Sequence, residues 1–200
     1  MFPDAARALS SGAVIPIRAF ALGKARLAAS LESAERATLG RQWAEQVVHA
    51  AAPMPVVVVS SDPDVRAWAA DLGVDGLDDP GTLDGAAAAG RDHLRRMGCA
   101  RAVIAHADLP RARDLVRLAR DGAQPVVALV PCHRDDGTPV LSVPTAIDFR
   151  FHYGLGSFRR HAEEARRLGL GLRVVRDGDL AFDVDVPDDL VALGEALQPS

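Results

Sequence analysis

The sequence predicts an α/β protein with a mostly parallel central sheet, one antiparallel strand and helices on both faces. Two observations support this fold class. Short apolar runs rich in β-branched residues alternate with segments whose apolar residues recur at helical spacing. In the last third of the chain this alternation stops, because the strand-like segment 138–143 has no helical pattern before it. That departure predicts the antiparallel strand and extra elements over one edge of the sheet.

The predicted strands are the apolar runs. Segment 54–61 is continuous in valine, as is typical of strands buried on both faces of a parallel sheet. In 180–186, Asp183 and Asp185 alternate with Val184 and would point to one face of a strand. Strands are predicted over residues 13–17, 54–61, 74–77, 101–105, 125–130, 138–143, 172–175 and 180–186.

The predicted helices carry apolar or small residues at helical spacing. Gly73 stands at the end of one of them, where glycine commonly terminates a helix. Helices are predicted over residues 33–51, 63–73, 83–98, 110–122, 157–169 and 187–197. The 200 residues are expected to form a single domain, 1–200, with residues 1–12 as a flexible N-terminal segment.

Composition and charge limit the classes of function. Hydrophobic residues make up 48% of the chain, enough for a sizeable core, and the net charge of -4 argues against general nucleic-acid binding. Cys99 and Cys132 have no metal-ligand spacing, so reduced thiols in a cytoplasmic protein are expected. The N-terminus has no signal-peptide pattern and no apolar run approaches membrane-spanning length, so no membrane partner is expected.

The loop after the first predicted strand concentrates positive charge. Arg18, Lys24 and Arg26 surround Gly23, and Lys24 is the single lysine among 23 basic residues. Ligands of open α/β sheets bind beyond the carboxyl ends of the strands. Cations and backbone N–H groups there would share the charge of a polyphosphate. The loop lacks the Walker pattern, and a solvated basic loop is the alternative interpretation.

The next two loops are candidates for nucleoside contact. Ser60 and Asp62 precede Pro63, a common way to start a helix, and helix capping is the favoured interpretation there. Gly81 relaxes the backbone before an alanine-rich helix, which would let a flat base or ribose approach closely. Nucleoside contact at Ser60 and Gly81 therefore stays open beside the structural interpretation.

Two apolar runs end in aspartate residues, and each is followed by a proline. Asp108 follows 101–105, and Asp183 and Asp185 lie in 180–186. Magnesium prefers one or two protein carboxylates together with phosphate oxygens and water. Helix capping is the alternative, although it suits Asp108 less because Pro110 already favours a helix start. We predict a magnesium site formed by Asp108 with one or both of the later carboxylates.

The start of helix 157–169 is predicted to bind an anion. Ser157 would offer a hydroxyl and unpaired backbone N–H groups of the first helical turn. Gly154 and Gly156 let the backbone approach the anion, and Thr138 adds a hydroxyl donor. His161, on the same helix, is expected at the surface.

Six fragments, in this order, resemble the 2-phospholactate / phosphoenolpyruvate guanylyltransferase family of coenzyme F-420 biosynthesis: IPIRAFALGKARLA, VVVVSSDPDV, ADLPR, GTPVL, FHYGLGSFRRHAEEA and FDVDVPDDL. The resemblance runs over about residues 13 to 192. It implies a nucleotide-diphospho-sugar transferase-like, Rossmann-type fold of the glycosyltransferase-A-like superfamily. It also implies that the phosphate of phosphoenolpyruvate or 2-phospho-L-lactate attacks the α-phosphorus of GTP and releases pyrophosphate.

The resemblance assigns roles to residues. The catalytic set would be Lys24, Arg26 and Asp108. Together with the loop residues described above, the GTP-binding set would be Arg18, Lys24, Arg26, Ser60, Gly81, Leu83 and Asp84. The acceptor's phosphate and carboxylate would be held by Thr138, Gly154 and Ser157. The Mg²⁺ ligands would be Asp108, Asp183 and Asp185. GTP and a three-carbon phosphoacid are the expected partners, and a homodimer is left open.

The chain departs from the family pattern at four positions. Arg18 and Asp84 replace the usual lysine and asparagine, Pro139 removes a backbone donor near the acceptor, and Val186 replaces a threonine that would cap the last helix. Two alternatives stay open: a molybdopterin- or sugar-phosphate nucleotidyltransferase, and a non-catalytic nucleotide-binding module. The arginine-rich composition favours phosphoenolpyruvate as the acceptor.

Overall fold

The structure is a computed structural model that describes residues 11–20, 27, 31–120, 125–184 and 186–197, apart from the side chains of 195–197. Within these residues the strands are Ser11–Pro16 (β1), Val56–Val59 (β2), Asp75–Leu77 (β3), Arg101–Ala105 (β4), Val126–Val130 (β5), Val140–Pro144 (β6) and Gly171–Val174 (β7). They form one seven-stranded sheet in the order β3-β2-β1-β4-β6-β5-β7.

Strand β6 is the antiparallel member of the sheet. It runs antiparallel to both of its neighbours, β4 and β5, while the other described pairings are parallel. The start of β6 therefore lies at the same edge of the sheet as the carboxyl ends of the other six strands. The mostly parallel sheet with an antiparallel strand is confirmed.

Helices cover both faces of the sheet, as predicted. The described helices are Ser33–Ala50 (α1), Pro63–Asp71 (α2), Leu83–Arg96 (α3), Ser157–Arg167 (α4) and Pro187–Leu197 (α5), with a 3-10 helix at Leu115–Ala119. Ile15 of β1 packs in one core cluster with Val47 of α1 and Trp68 of α2. Val14, its neighbour in β1, packs in the opposite cluster with Leu94 of α3. Among the residues that the structure describes, no helix combines the length and apolar character needed to cross a membrane.

The helix predicted at 110–122 is wrong for the residues described there. In its place a 3-10 helix covers Leu115–Ala119. Asp114, immediately before it, has a left-handed backbone with φ 45°, which a right-handed α-helix cannot contain. Pro110 therefore begins a turn, and the expected helix start beside Asp108 is absent.

The strand predicted at 180–186 is also wrong, since residues 180–184 and 186 form no strand. Asp177 closes a turn before this segment: its Oδ1 accepts the N–H groups of Asp179 and Leu180, both at 2.9 Å. Leu180 and Val184 are fully buried, so the apolar alternation reflects loop packing. The first strand begins at Ser11, so the predicted flexible segment 1–12 overlaps β1 by two residues.

Gly90 of α3 permits the close packing of this helix on β1. A Cβ at Gly90 would lie 2.3 Å from Cγ1 of Val14. We predict that Gly90→Ala lowers the free energy of unfolding by about 1–3 kcal/mol through overpacking, although alanine favours a helix by about 1 kcal/mol. Urea unfolding measures the change. Gly40→Ala in α1 is the control, because its Cβ would meet only Phe20, at 3.8 Å; it should be neutral or stabilising. Equal effects of both substitutions would contradict the close approach.

Candidate active site

The predicted site residues that the structure describes lie along the carboxyl edge of the sheet and on the loop before α4. Arg18 follows β1, Ser60 follows β2, and Asp108 follows β4. Thr138 precedes β6, which enters the sheet from this edge because it is antiparallel. Three predicted residues, Lys24, Arg26 and Asp185, lie outside the described residues.

Ser60 ties the ends of β1 and β2 together. It is fully buried, its hydroxyl donates to the carbonyl oxygen of Arg18 at 3.4 Å, and Oγ accepts the N–H of Asp62 at 3.1 Å. Asp62 caps α2, since its Oδ1 accepts the N–H groups of Asp64 and Val65 at 3.1 and 3.0 Å. The capping interpretation of this segment is confirmed, and the hydroxyl of Ser60 is used within the protein.

The loop between β3 and α3 is held by its own side chains. Oδ1 of Asp79 accepts the N–H of Gly81 at 2.8 Å, and Gly81 has φ +98°, a conformation that suits glycine. Thr82 caps α3 by accepting the N–H of Gly85 at 3.1 Å. The side chain of Leu83, at the first position of α3, remains exposed.

Asp84 connects α3 to the loop before α4. Its Oδ1 accepts the backbone N–H of Tyr153 at 2.6 Å. The ring of Tyr153 packs against the rings of His106 and His161, with centroid separations of 5.4 and 4.8 Å. Burial, and secondly the charge of Asp84, raises the pKa of Tyr153, so its phenol is neutral. Sequence patterns identified neither Tyr153 nor His106.

Asp108 and Asp183 lie on neighbouring segments. The N–H of Val184 donates to the backbone carbonyl of Asp108 at 3.3 Å, and Oδ1 of Asp183 lies 3.2 Å from Nδ1 of His133. Two carboxylates from adjacent segments supply the oxygen ligands that magnesium prefers. Over the described ranges, no group of three or more His, Cys, Asp or Glu side chains is arranged to hold a metal ion. A metal held by Asp108 and Asp183 would take its remaining ligands from substrate and water.

Thr138, Ser157 and His161 form a buried hydrogen-bonded cluster. Their exposed fractions are 1%, 2% and 0%. The hydroxyl oxygens of Thr138 and Ser157 lie 3.3 Å apart, and Nδ1 of His161 lies 3.1 Å from Oγ1 of Thr138. The structure thus brings two predicted acceptor residues together. The expected surface position of His161 is wrong, because this face of α4 packs toward the sheet with Ala165.

The N-terminus of α4 is occupied by protein groups, contrary to the prediction of unpaired N–H groups. Gly156 donates its N–H to Oδ1 of Asp136 at 2.8 Å, and Phe158 donates to the carbonyl of Asp136 at 3.1 Å. Ser157 donates its N–H to the carbonyl of Gly154 at 3.0 Å. Gly154 and Gly156 have φ 95° and 72°, conformations that suit glycine. The loop's shape therefore depends on these glycines, while Asp136 takes the place predicted for an anion.

Nearly the whole sequence matches one known protein family. The sequence matches the family described as "Guanylyl transferase CofC like" over residues 11–195. The chain belongs to this family. The match to the CofC-like family extends from β1 into α5 and so includes the whole described sheet and every predicted site residue. It confirms the resemblance found in the six sequence fragments and the assignment to the guanylyltransferases.

Curated relatives agree with the CofC-like assignment. A phosphoenolpyruvate guanylyltransferase of Sphaerobacter thermophilus is 39% identical over 190 residues, which cover 90% of this chain and 91% of the relative. A 2-phospho-L-lactate guanylyltransferase of Methanothermobacter thermautotrophicus is 31% identical over 188 residues, covering 89% of this chain and 81% of the relative. Both alignments span nearly the whole fold.

Solved structures confirm the nucleotide-diphospho-sugar transferase-like fold of this CofC-like chain. A putative nucleotide-diphospho-sugar transferase from Desulfovibrio desulfuricans G20 has a TM-score of 0.78 and 17% identity, covering 96% of this chain and 89% of that one. A CMP:2-keto-3-deoxy-manno-octonic acid synthetase complexed with CTP has a TM-score of 0.61 and 13% identity, covering 94% and 98%. At these identities the likeness concerns the fold alone.

Proposed function

We propose that this CofC-like chain transfers GMP from GTP to the phosphate of phosphoenolpyruvate, in coenzyme F-420 biosynthesis. A phosphate oxygen of the acceptor attacks the α-phosphorus of GTP, the bond from that phosphorus to the bridging oxygen of the β-phosphate breaks, and pyrophosphate leaves. The family match over residues 11–195 carries the proposal. The name of the relative with 39% identity supports phosphoenolpyruvate as acceptor. The relative with 31% identity makes 2-phospho-L-lactate the second candidate.

The cationic loop after β1 would bind the triphosphate. Arg18 is exposed just beyond the carboxyl end of β1, and Lys24 and Arg26 follow it in the sequence. Their charges would balance those of GTP and of the departing pyrophosphate, which is the main requirement for a transfer of this kind. The nucleoside would lie toward Gly81 and Leu83, where an apolar side chain is exposed beside a glycine.

A magnesium ion is part of the proposal, and the residues present fit it. Asp108 and Asp183 would hold the ion, with Asp185 as a third candidate, since carboxylates from two neighbouring segments and substrate phosphates make a set of oxygen ligands. The bound ion would neutralise phosphate charge as the bond to pyrophosphate breaks. The role of the two carboxylates would be to hold that ion, since by themselves they would repel the triphosphate.

The acceptor would lie between the start of β6 and the loop before α4. Thr138 and Ser157 lie in hydrogen-bond contact there, and the positive φ of Gly154 sets the path of the loop. Pro139 leaves this arrangement intact, because its carbonyl accepts the N–H of His106 at 2.9 Å and joins the start of β6 to the end of β4. Proline at this position removes a backbone donor and keeps the carbonyl, so this hydrogen bond is compatible with the departure from the family pattern.

Substitution of Asp84 tests the role of the loop before α4, where the acceptor would bind. We expect Asp84→Ala to raise the KM for the phosphoacid about tenfold, because the N–H of Tyr153 loses a charged hydrogen-bond acceptor. Asp84→Asn should change it less than about threefold, since an amide oxygen can accept the same N–H. Steady-state kinetics with both substrates varied measure the effect. Equal losses in the two variants would show that the negative charge of Asp84 matters in place of its hydrogen bond.

The proposed function is tested by pyrophosphate release in the presence of Mg²⁺ and GTP. Phosphoenolpyruvate, 2-phospho-L-lactate and 3-phosphoglycerate are offered in parallel, and ATP replaces GTP as the control. We expect release with GTP and phosphoenolpyruvate and little with ATP. Release with 2-phospho-L-lactate alone would correct the acceptor. No release with any of the three would overturn the proposed reaction.

The assembly and location of the chain stay predictions. A homodimer is tested by sedimentation of the purified chain at several concentrations, and a cytoplasmic location by fractionation of the producing cells. The net charge of -4 predicts no binding to DNA or RNA, which a salt-dependent binding assay checks.

A further inference from the structure

We propose that His161 is a positioning residue that leaves the hydroxyl pair of Thr138 and Ser157 with one O–H to donate to the acceptor's anion. The inference rests on the proposed function, in which these two residues hold the phosphoacid. Its basis is the hydrogen bonding of the His161 imidazole, because both ring nitrogens have a defined partner.

The backbone determines which nitrogen of His161 carries the proton. The N–H of His152 donates to Nε2 at 2.9 Å, so Nε2 must offer its lone pair. Burial, and then the nearby His152, Arg160 and His106, lowers the pKa of His161 to about 3, so the ring is neutral near pH 7. A neutral imidazole has one N–H, which is therefore on Nδ1, 3.1 Å from Oγ1 of Thr138.

The number of protons in the cluster then determines what the hydroxyl pair offers a ligand. Nδ1–H of His161 donates to Oγ1 of Thr138. Thr138 and Ser157 each have one hydroxyl proton, and their contact at 3.3 Å uses one of the two. One O–H is left over whichever way that bond runs. With the other tautomer, His161 would accept the proton of Thr138, Ser157 would donate to Thr138, and no donor would remain.

A spare O–H donor suits the proposed acceptor. Phosphate and carboxylate oxygens accept hydrogen bonds and repel lone pairs, so they need a site that donates. Ser157 is the first residue of α4, and the backbone N–H groups beside it are already occupied by Asp136 and Gly154, so the spare O–H is the donor left for the anion. The imidazole is held in place by the rings of Tyr153 and Phe149, at centroid separations of 4.8 and 6.0 Å.

The test is a double-mutant cycle in the full chain with Mg²⁺, GTP and phosphoenolpyruvate. His161→Leu removes the Nδ1–H, and Thr138→Val removes the hydroxyl that receives it. We expect His161→Leu to raise the KM for phosphoenolpyruvate about tenfold or more, with the KM for GTP changed less than about twofold. In the Thr138→Val background the same substitution should cost less than about twofold. Equal losses in both backgrounds, or equal rises in both KM values, overturn the inference.

A conservative variant and a spectroscopic measurement keep the test decisive if His161→Leu does not fold. His161→Asn keeps an N–H donor near the position of Nδ1 and should recover much of the affinity for phosphoenolpyruvate. In ¹⁵N NMR spectra of the wild-type chain, the imidazole should carry its proton on Nδ1 throughout pH 5 to 8. A proton on Nε2, or titration within that range, overturns the inference.

Failure of the proposed function has a different signature. A wild-type chain that transfers GMP to none of the phosphoacids overturns that function, and the imidazole signals then decide the inference without turnover. Phosphoenolpyruvate added to the wild-type chain should shift the Nδ1 signal of His161, because a ligand that accepts the spare O–H polarises the whole hydrogen-bonded chain. The shift should be absent in Thr138→Val. No shift at His161 while other signals of the wild-type chain respond to phosphoenolpyruvate overturns the inference, whereas no response of any signal overturns the proposed function.

Discussion

Asp108→Asn is expected to reduce kcat at least about 1,000-fold, equivalent to about 4 kcal/mol of transition-state stabilisation, while the fold stays intact. The amide is a weaker ligand for a divalent cation and leaves the charge of the triphosphate uncompensated. The backbone carbonyl of Asp108, which accepts the N–H of Val184, is unchanged by the substitution. Pyrophosphate release and thermal unfolding of the same preparation measure the two properties.

Asp114→Asn is the matched control for this experiment. Asp114 is an exposed carboxylate a short distance along the same segment, and asparagine tolerates its left-handed conformation, φ 45°. The control should keep kcat within about twofold of the wild-type value. A fall of similar size in both variants would mean that the loss at Asp108 comes from the segment's structure, and the assignment of a metal ligand there would fail.

The second large effect is a loss of stability in mild acid. Because the folded chain holds the pKa of His161 at about 3, below the ordinary value of about 6.5, the unfolded chain binds an extra proton between these pH values. Stability is therefore fully present above about pH 6.5 and is lost as the pH falls. Between pH 7.5 and 4.5 this one group should lower the free energy of unfolding by about 2–3 kcal/mol.

Urea unfolding at several pH values measures the slope of the free energy of unfolding against pH. His161→Asn should remove it, because no imidazole then remains to be protonated on unfolding. His49→Asn, at an exposed position of α1, should keep the slope of the wild-type chain. The pH range from 7.5 to 4.5 also separates His161 from Glu164. The pKa of Glu164 is lowered to about 2, chiefly by its hydrogen bond to Arg167, so most of its contribution to stability is lost at lower pH. An unchanged slope in His161→Asn would contradict the burial of a neutral imidazole.

The inner part of the sheet could be predicted from the sequence because its strands are buried on both faces, unlike the edge strands β3 and β7. Runs such as Val56–Val59 and Val126–Val130 are β-branched and nearly continuous, and such runs have few other uses in a protein of this size. The antiparallel strand was predictable for a related reason. A parallel crossover requires a dozen or more residues, and none with a helical pattern precedes Val140–Pro144.

Two predicted elements failed because periodicity does not determine backbone conformation over short segments. Leu115 and Leu118 have the spacing of an α-helix, but three residues is also the period of a 3-10 helix. Leu180 and Val184 alternate as in a strand, yet the segment packs as a loop behind the turn at Asp177. Neither the left-handed conformation at Asp114 nor that turn has a signal in apolar patterning.

The candidate site could be predicted only as far as single loops have recognisable chemistry. The carboxylate at Asp108 and the hydroxyls at Thr138 and Ser157 were identified from their own segments. His161 was misplaced and Tyr153 was missed, because their importance depends on contacts with residues distant in the sequence. The occupation of the α4 N-terminus by Asp136 has the same cause, since no local pattern links an aspartate in one loop to a helix start in another.

The antiparallel strand has a consequence for how the chain is made. Strand β5 leaves the ribosome before β6, yet in the sheet β5 reaches β4 only through β6. Until residues 140–144 are available, the edge of β4 stays open and β5 has no partner on that side, a situation that favours aggregation. The segments proposed to bind GTP come before β6 in the chain and can therefore fold first, while β5 joins the sheet only when β6 has paired with β4. Chains that stall before β6 are expected to need chaperones.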